Sequence, residues 1–254
     1  MRKRLLALCL LAAVAGAAGV AGPASARPMI VGGSDASETY GFMASVQNEL
    51  GHERCGASLI SPEWLVTAGH CVSDRHTGEV LDPALTWIRV GSLDRTQGGE
   101  RIRADRFIRH EKFDMALHHD IALVHLAAPV AARPIAIGAA PATGAAIRLL
   151  GWGKTCPTPG CGEAPVLLRE LDTTVAGASA CGEDFDPALQ LCTDNKNGTA
   201  NACFGDSGGP AVVADGGEWK LVGATSHGQS ASCVDKAGIY TNVVAYADWI
   251  KQNT

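Results

Sequence analysis

Apolar and polar residues alternate in short runs separated by Gly, Pro and Asp clusters: Leu85 to Val90, Arg101 to Arg109, Ile147 to Leu150, Arg169 to Val175, Ala211 to Ala214 and Trp219 to Thr225. Successive side chains of an extended strand point to opposite faces, so this alternation predicts many half-buried strands. The helical period is confined to the end of the chain. Over Val244 to Gln252, Tyr246, Trp249 and Ile250 fall on one face and predict a single helix. The Pro- and Ala-rich stretch Ala127 to Gly144 interrupts the alternation and reads as a crossing between two halves. Residue identities show no internal repeat.

Residues 1–26 follow neither pattern. Arg2, Lys3 and Arg4 precede an Ala/Leu/Gly/Val run, and Ala24-Ser25-Ala26 has the small-x-small form of a secretory cleavage site. This segment reads as a signal peptide. The run from Leu5 to Gly22 approaches the span of a bilayer, so an uncleaved anchor is the alternative; its Ala and Gly content and the cleavage site argue against it. Cys9 lacks the flank of a lipid-modified cysteine and leaves with the signal.

A 254-residue all-β chain is long enough to bury an ordinary core as one structural unit. Its net charge is −5, and loss of residues 1–29 removes Arg2, Lys3, Arg4 and Arg27 but no acid, which leaves −9. So acidic a chain is a poor nucleic-acid binder, and no membrane contact is expected once the signal is gone. Eight cysteines follow Cys9, an even number in a secreted context, which favours disulfides over metal thiolates.

The chemistry is concentrated in three short segments: Thr67-Ala68-Gly69-His70-Cys71, Asp120-Ile121-Ala122-Leu123, and Gly205-Asp206-Ser207-Gly208-Gly209-Pro210. A serine hydroxyl is too weakly acidic to attack an amide at neutral pH. It needs an imidazole to take its proton and a carboxylate to hold that imidazole in one tautomer. Ser207, His70 and Asp120 match those roles. Gly205, small and flexible, lets its own N–H and that of Ser207 converge on one oxyanion. Singly, Ser207 reads as part of a glycine-rich turn, His70 as a half-buried histidine and Asp120 as a cap; together they form a catalytic set. Gly205-x-Ser207-x-Gly209 also fits the elbow of α/β-hydrolases, but there the order is serine, acid, histidine. Here it is His70, Asp120, Ser207, and alternating strands with long helices are lacking.

From Ile30 to the last helix these segments resemble the chymotrypsin-like (trypsin-like) serine endopeptidases. Ile30-Val31-Gly32-Gly33 is similar to that family's mature N-terminus, and Cys55-Gly56-Ala57-Ser58-Leu59-Ile60 to the strand before its histidine. Gly151-Trp152-Gly153 resembles its mid-chain marker, while Tyr240-Thr241-Asn242-Val243 and Tyr246-x-x-Trp249-Ile250 resemble its closing strand and helix. The resemblance implies two six-stranded antiparallel β-barrels, residues 30–135 with His70 and Asp120 and residues 136–254 with Ser207, the active site lying in the cleft between them. It implies a propeptide at 27–29 and cleavage of Met29-Ile30, after which the Ile30 ammonium pairs with Asp206. It also implies the disulfides Cys55–Cys71, Cys181–Cys192 and Cys203–Cys233. Cys156 and Cys161 remain, flanked by Pro and Gly that let a small loop close.

The resemblance places Asn201, Ala202, Phe204, Ser226, His227, Gly228 and Gly238 around the specificity pocket. Six positions before Ser207 stands Asn201 where trypsin has an aspartate, so a buried Lys or Arg would lack its carboxylate. Gly228 and Gly238 match the two bare walls of a deep slot. Large apolar or aromatic side chains are the expected guests, neutral polar ones next; Asp235 is the acid that would restore basic preference. Ser226 to Gly228 is the expected edge strand for substrate backbone, with His227 standing where the family usually has an aromatic residue. Phe204 replaces a commonly polar residue at the mouth.

His118, His119 and His125 flank Asp120 without an H-E-x-x-H motif, so no metal is expected on these histidines and no cofactor is expected; the acids from Asp94 to Asp105 show no recognisable ligand spacing and leave a calcium loop open. Asn197-Gly198-Thr199 fits a glycosylation sequon or simply a turn. The expected partners are protein or peptide substrates and proteinaceous inhibitors, and the expected state is a monomer. A binding protein on the same fold that has lost catalysis is the rival reading.

Overall fold

A computed structural model describes residues 30–254. The segments expected to be a signal peptide (1–26) and a propeptide (27–29) therefore lie outside the described residues. A two-residue strand β1 (Ser34–Asp35) leads into β2 (Met43–Gln47), β3 (Glu53–Ser61), β4 (Trp64–Thr67), β5 (Trp87–Val90), β6 (Glu100–Arg109) and β7 (Ala122–Leu126). The last six close into a barrel in the order β2-β3-β4-β7-β6-β5, every neighbouring pair antiparallel. Its filling is aliphatic and fully buried: Leu59, Leu65, Ile88, Leu123 and Leu126.

The crossing from 127 to 144 is irregular except for β8 (Ala136–Ile137), which pairs in parallel with a strand of the second half. That half comprises β9 (Ala146–Gly151), β10 (Arg169–Thr174), β11 (Gln190–Thr193), β12 (Pro210–Asp215), β13 (Glu218–His227) and β14 (Gly238–Asn242). Its ladder runs β10-β9-β12-β13-β14-β11, with β1 added outside β10. The two ends are joined by a single bridge, Val175 to Thr193, reinforced by Ala176 N–H to Cys192 O and Asp194 N–H to Thr174 O. The first barrel is thus closed by continuous ladders and the second by one short seam. Both six-strand sets match the all-β expectation.

The final segment departs slightly from a uniform helix. Val243–Tyr246 forms a 3₁₀ turn before α1 (Ala247–Asn253). Two consecutive β-branched residues, Val243 and Val244, disfavour a regular first turn. Tyr246 and Ile250 are buried and Trp249 packs beside them, as the face pattern predicts. Among the described residues no helix is long and apolar enough to cross a membrane.

Four disulfides link Cys55–Cys71, Cys156–Cys161, Cys181–Cys192 and Cys203–Cys233. The halves meet at close backbone contacts. Gly56 N–H donates to Ser207 O at 2.8 Å, and a Cβ on Gly56 would lie 2.8 Å from Gly209 Cα. Thr241 Oγ1 donates to Asp120 O at 2.6 Å, tying the acid's backbone on the first half to β14 on the second.

Candidate active site

His70 sits on a 3₁₀ turn, Gly69–Val72, that begins where β4 ends. The turn packs tightly against Phe113, whose ring lies 2.8 Å from where a Cβ on Gly69 would be. Ser73 Oγ donates to Gly69 O at 2.8 Å, and Cys71 is bonded to Cys55. Because Gly56, next to Cys55, also holds the Ser207 carbonyl, one short piece of β3 anchors both the histidine turn and the serine loop.

Asp120 precedes β7 and is only 2% exposed. The chain reaches it through two non-glycine residues in the left-handed region, Leu117 (φ 67°) and His119 (φ 47°). Such a backbone persists only when its surroundings over-determine it. His119 meets that need, stacked on the His110 ring and hydrogen-bonded through Nδ1 to Tyr246 Oη at 3.0 Å. The Asp120 carboxyl receives the His70 backbone N–H on Oδ1 (2.9 Å) and His70 Nδ1 on Oδ2 (2.8 Å). Ser226 Oγ also donates to Oδ2, at 2.5 Å. Burial works to raise its proton affinity, but the His70 ring and the Ser226 hydroxyl together hold Asp120 below the usual carboxylate range. It is an anion that can only accept, so His70 carries its proton on Nδ1 and leaves Nε2 available as a base.

Ser207 lies in a loop shaped by Gly205 (φ 103°) and Gly208 (φ 74°), conformations that favour glycine. A Cβ on Gly208 would collide with Thr67 Oγ1 and Gly56 O. Among the described residues the N–H groups of Gly205 and Ser207 donate to no protein acceptor, whereas those of Gly208 and Gly209 are bonded to Thr225 O and Asp206 O. Two unused donors flank the hydroxyl. No hydrogen bond joins Ser207 Oγ to His70 Nε2, which lies 3.8 Å from Cys71 Sγ; such contacts commonly tighten only with substrate present.

A pocket of about 230 Å³ opens beside Ser207. Asn201, Ala202, Phe204, Ser226, His227, Gly228 and Gly238 all line it, so every residue expected there is brought together. Beyond its chain neighbours no atom lies within 4 Å of a Cβ on Gly228, so a side chain there would meet open space at the pocket's edge. Gly238 is bare for a different reason, since a Cβ would press on Asn201 Oδ1 and Thr193 Oγ1 at 2.7 Å. The Asn201 amide is tied down, accepting from Ala202 N–H (2.9 Å) and donating to Lys236 O (3.1 Å). Asp235 is exposed, bonded to Ser230 Oγ at 3.0 Å, and is not part of the lining. Phe204 stands at the mouth, 45% exposed.

Asp206 is 1% exposed and accepts from Gly153 N–H (2.8 Å) and Cys203 N–H (2.7 Å). Burial pushes it up to about 6, and among the described residues no cation pairs with it. Ile30 is buried among Ala200, Tyr240 and Leu191, and Val31 bridges to Asn201.

Three contacts had no signal in the sequence: the Ser226 and Thr241 bonds to Asp120, and an inward-turned Glu53 whose carboxyl accepts from the fully buried Ser45 hydroxyl at 2.5 Å. Serine, threonine and glutamate are common strand residues, and nothing local marks these three.

Two antiparallel barrels with a histidine–aspartate pair on one and a glycine-framed serine loop on the other define the class of two-barrel serine proteases. A family model described as Trypsin matches residues 30–250. The chain is 33% identical over 248 residues to human "Serine protease 1", covering 92% of this chain and 93% of that one. It is 31% identical over 251 residues to mouse "Serine protease 56", covering 92% of this chain and 40% of that longer protein. A bovine "Suppressor of tumorigenicity 14 protein homolog" is 30% identical over 240 residues, which cover 87% of this chain and 28% of that protein. The chain belongs to the trypsin family of serine proteases.

Proposed function

We propose that this protein is a secreted endopeptidase that cleaves peptide bonds through an acyl-enzyme on Ser207, after large apolar or aromatic residues. His70 takes the Ser207 proton and returns it to the leaving amine. Asp120 holds the ring and stabilises the imidazolium, and the Gly205 and Ser207 N–H groups receive the oxyanion. The observation that carries this reading is the Asp120-bound His70 ring, tautomer set, together with a pocket beside Ser207 whose base is a neutral, hydrogen-bonded amide.

Activation follows cleavage of Met29-Ile30. A carboxyl buried as Asp206 is, without a cation, favours uptake of a proton, and a new ammonium at Ile30 supplies the missing charge. Ile30 itself has φ 32°, unfavourable for a β-branched residue, and the cut frees that backbone. Residues 1–26 are the signal, 27–29 the propeptide, and 30–135 and 136–254 the two halves. Methionine before the cut calls for an activator that accepts apolar residues.

Digestion of a diverse peptide pool by protein starting at Ile30, alongside Ser207→Ala, tests this. Cleavage after Phe, Tyr, Leu or Met that vanishes in the variant supports the proposal. Cleavage confined to Lys and Arg means that an acid such as Asp235 reaches the guest, and no Ser207-dependent cleavage means a silent binding protein.

A further inference from the structure

Asp120 Oδ2 serves two donors, and the second is itself hydrogen-bonded to another imidazole. Ser226 Oγ lies 2.5 Å from Asp120 Oδ2 and 2.9 Å from His227 Nδ1. A hydroxyl has one proton, and the ionised carboxylate can only accept, so the Ser226 proton points at Asp120. Its lone pairs then face His227, which must carry its proton on Nδ1. An unbroken chain of donors therefore runs from His227 Nδ1–H to Ser226 Oγ–H to Asp120 Oδ2, and His70 Nδ1–H reaches the same oxygen from the other side. Two imidazoles share one anion.

We propose that His227 is a positioning residue for the catalytic imidazole: by donating to Ser226 it strengthens that hydroxyl's hold on Asp120 and weakens the carboxylate's hold on the His70 Nδ1 proton. Linked hydrogen bonds polarise one another in the same direction, so a donor behind Ser226 makes its O–H a better donor. Charge drawn toward Ser226 is no longer concentrated on the His70 side. The inference rests on the triad roles proposed above.

The titratable groups acting on the His227 ring are Asp120, which favours its cation, and His70 and His118, which oppose it. Burial opposes it most, and the ring is held below the ordinary histidine range. Burial thus favours the neutral ring, and His227 acts through its fixed N–H dipole rather than through a charge. Because it also lines the pocket, a purely steric role would change substrate fit alone.

The test compares protein starting at Ile30 with His227→Phe, His227→Asn and Ser226→Ala. Phenylalanine preserves a ring without a donor, and asparagine places an N–H near the Nδ1 position without a titrating ring. In His227→Phe the acid limb of the kcat/KM profile moves up by about half a pH unit, and the proton shared by His70 and Asp120 resonates further downfield. His227→Asn restores both toward the parent, and in a Ser226→Ala background His227→Phe moves neither. A His227→Phe variant with altered KM but an unmoved acid limb and resonance overturns the proposal. The resonance is read without turnover, so a moved resonance in a protein that hydrolyses nothing upholds the coupling and overturns the triad roles instead.

Discussion

The carboxyl of Asp206 occupies the space in which a side chain on Gly153 would begin, and accepts that glycine's N–H at 2.8 Å. Gly151 is constrained by the same carboxyl from the strand end of β9. The pair of glycines around Trp152 thus exists because an acid from the serine loop lies against them.

Replacing Gly153 by alanine forces the Asp206 carboxyl to move and strands buried acceptors. Urea denaturation should show a loss of about 2–4 kcal/mol. Titration with a serine-directed phosphonate should show slower labelling of Ser207, because Asp206 precedes it directly.

Glu53 supplies a pH dependence of stability. Burial, with the Asp206 charge adding to it, pushes the Glu53 carboxyl up from 4.5 to about 8, against the opposing Ser45 bond and Arg95 charge. The folded chain then holds a proton that the unfolded chain releases, so this contribution is fully present at acid pH and stability falls as pH rises from 4.5 to about 8. Glu53→Gln keeps an acceptor for Ser45 and removes the fall. Between pH 6 and 8, above the Asp206 window, the variant should gain about 1–3 kcal/mol on the parent in denaturant melts.

Asn201→Asp should convert the pocket. An aspartate carboxylate keeps the Ala202 N–H as a donor, gives up the bond to Lys236 O, and brings a negative charge into the pocket. Ratios of kcat/KM for Lys over Phe peptides should rise by about a hundredfold. An unchanged ratio would show that the base of the pocket lies elsewhere.

Gly228→Val should close the same pocket without disturbing the fold, since beyond the chain neighbours no atom lies within 4 Å of the added Cβ. Cleavage after Phe and Tyr should fall by about a hundredfold, while cleavage after Ala and phosphonate labelling of Ser207 persist.

The strands of β5, β6, β9, β10, β12 and β13 were legible as alternating runs because pleat geometry acts between neighbours in the chain. The same holds for the segments around His70 and Ser207, where glycines mark the tight backbone, whereas the left-handed Leu117 and His119 before Asp120 carry no such mark. Three cysteine pairs followed from resemblance and the fourth, Cys156–Cys161, from the short Pro- and Gly-containing loop between the two that remained; all four are found.

Partnership across the chain was not legible. Ser226 meets Asp120 across a sequence separation of 106 and Thr241 meets it across 121, contacts that arise only when β13 and β14 are laid beside the first barrel. The seam at Val175 and Thr193, the inward turn of Glu53 and the second imidazole behind Ser226 are of the same kind. Local conformation is set by sterics within a few residues, and chemistry-bearing motifs are recognisable for that reason. Which serine faces which carboxylate, and which buried acid lacks a cation, depends on the packing of strands distant in sequence, and no single segment carries that information.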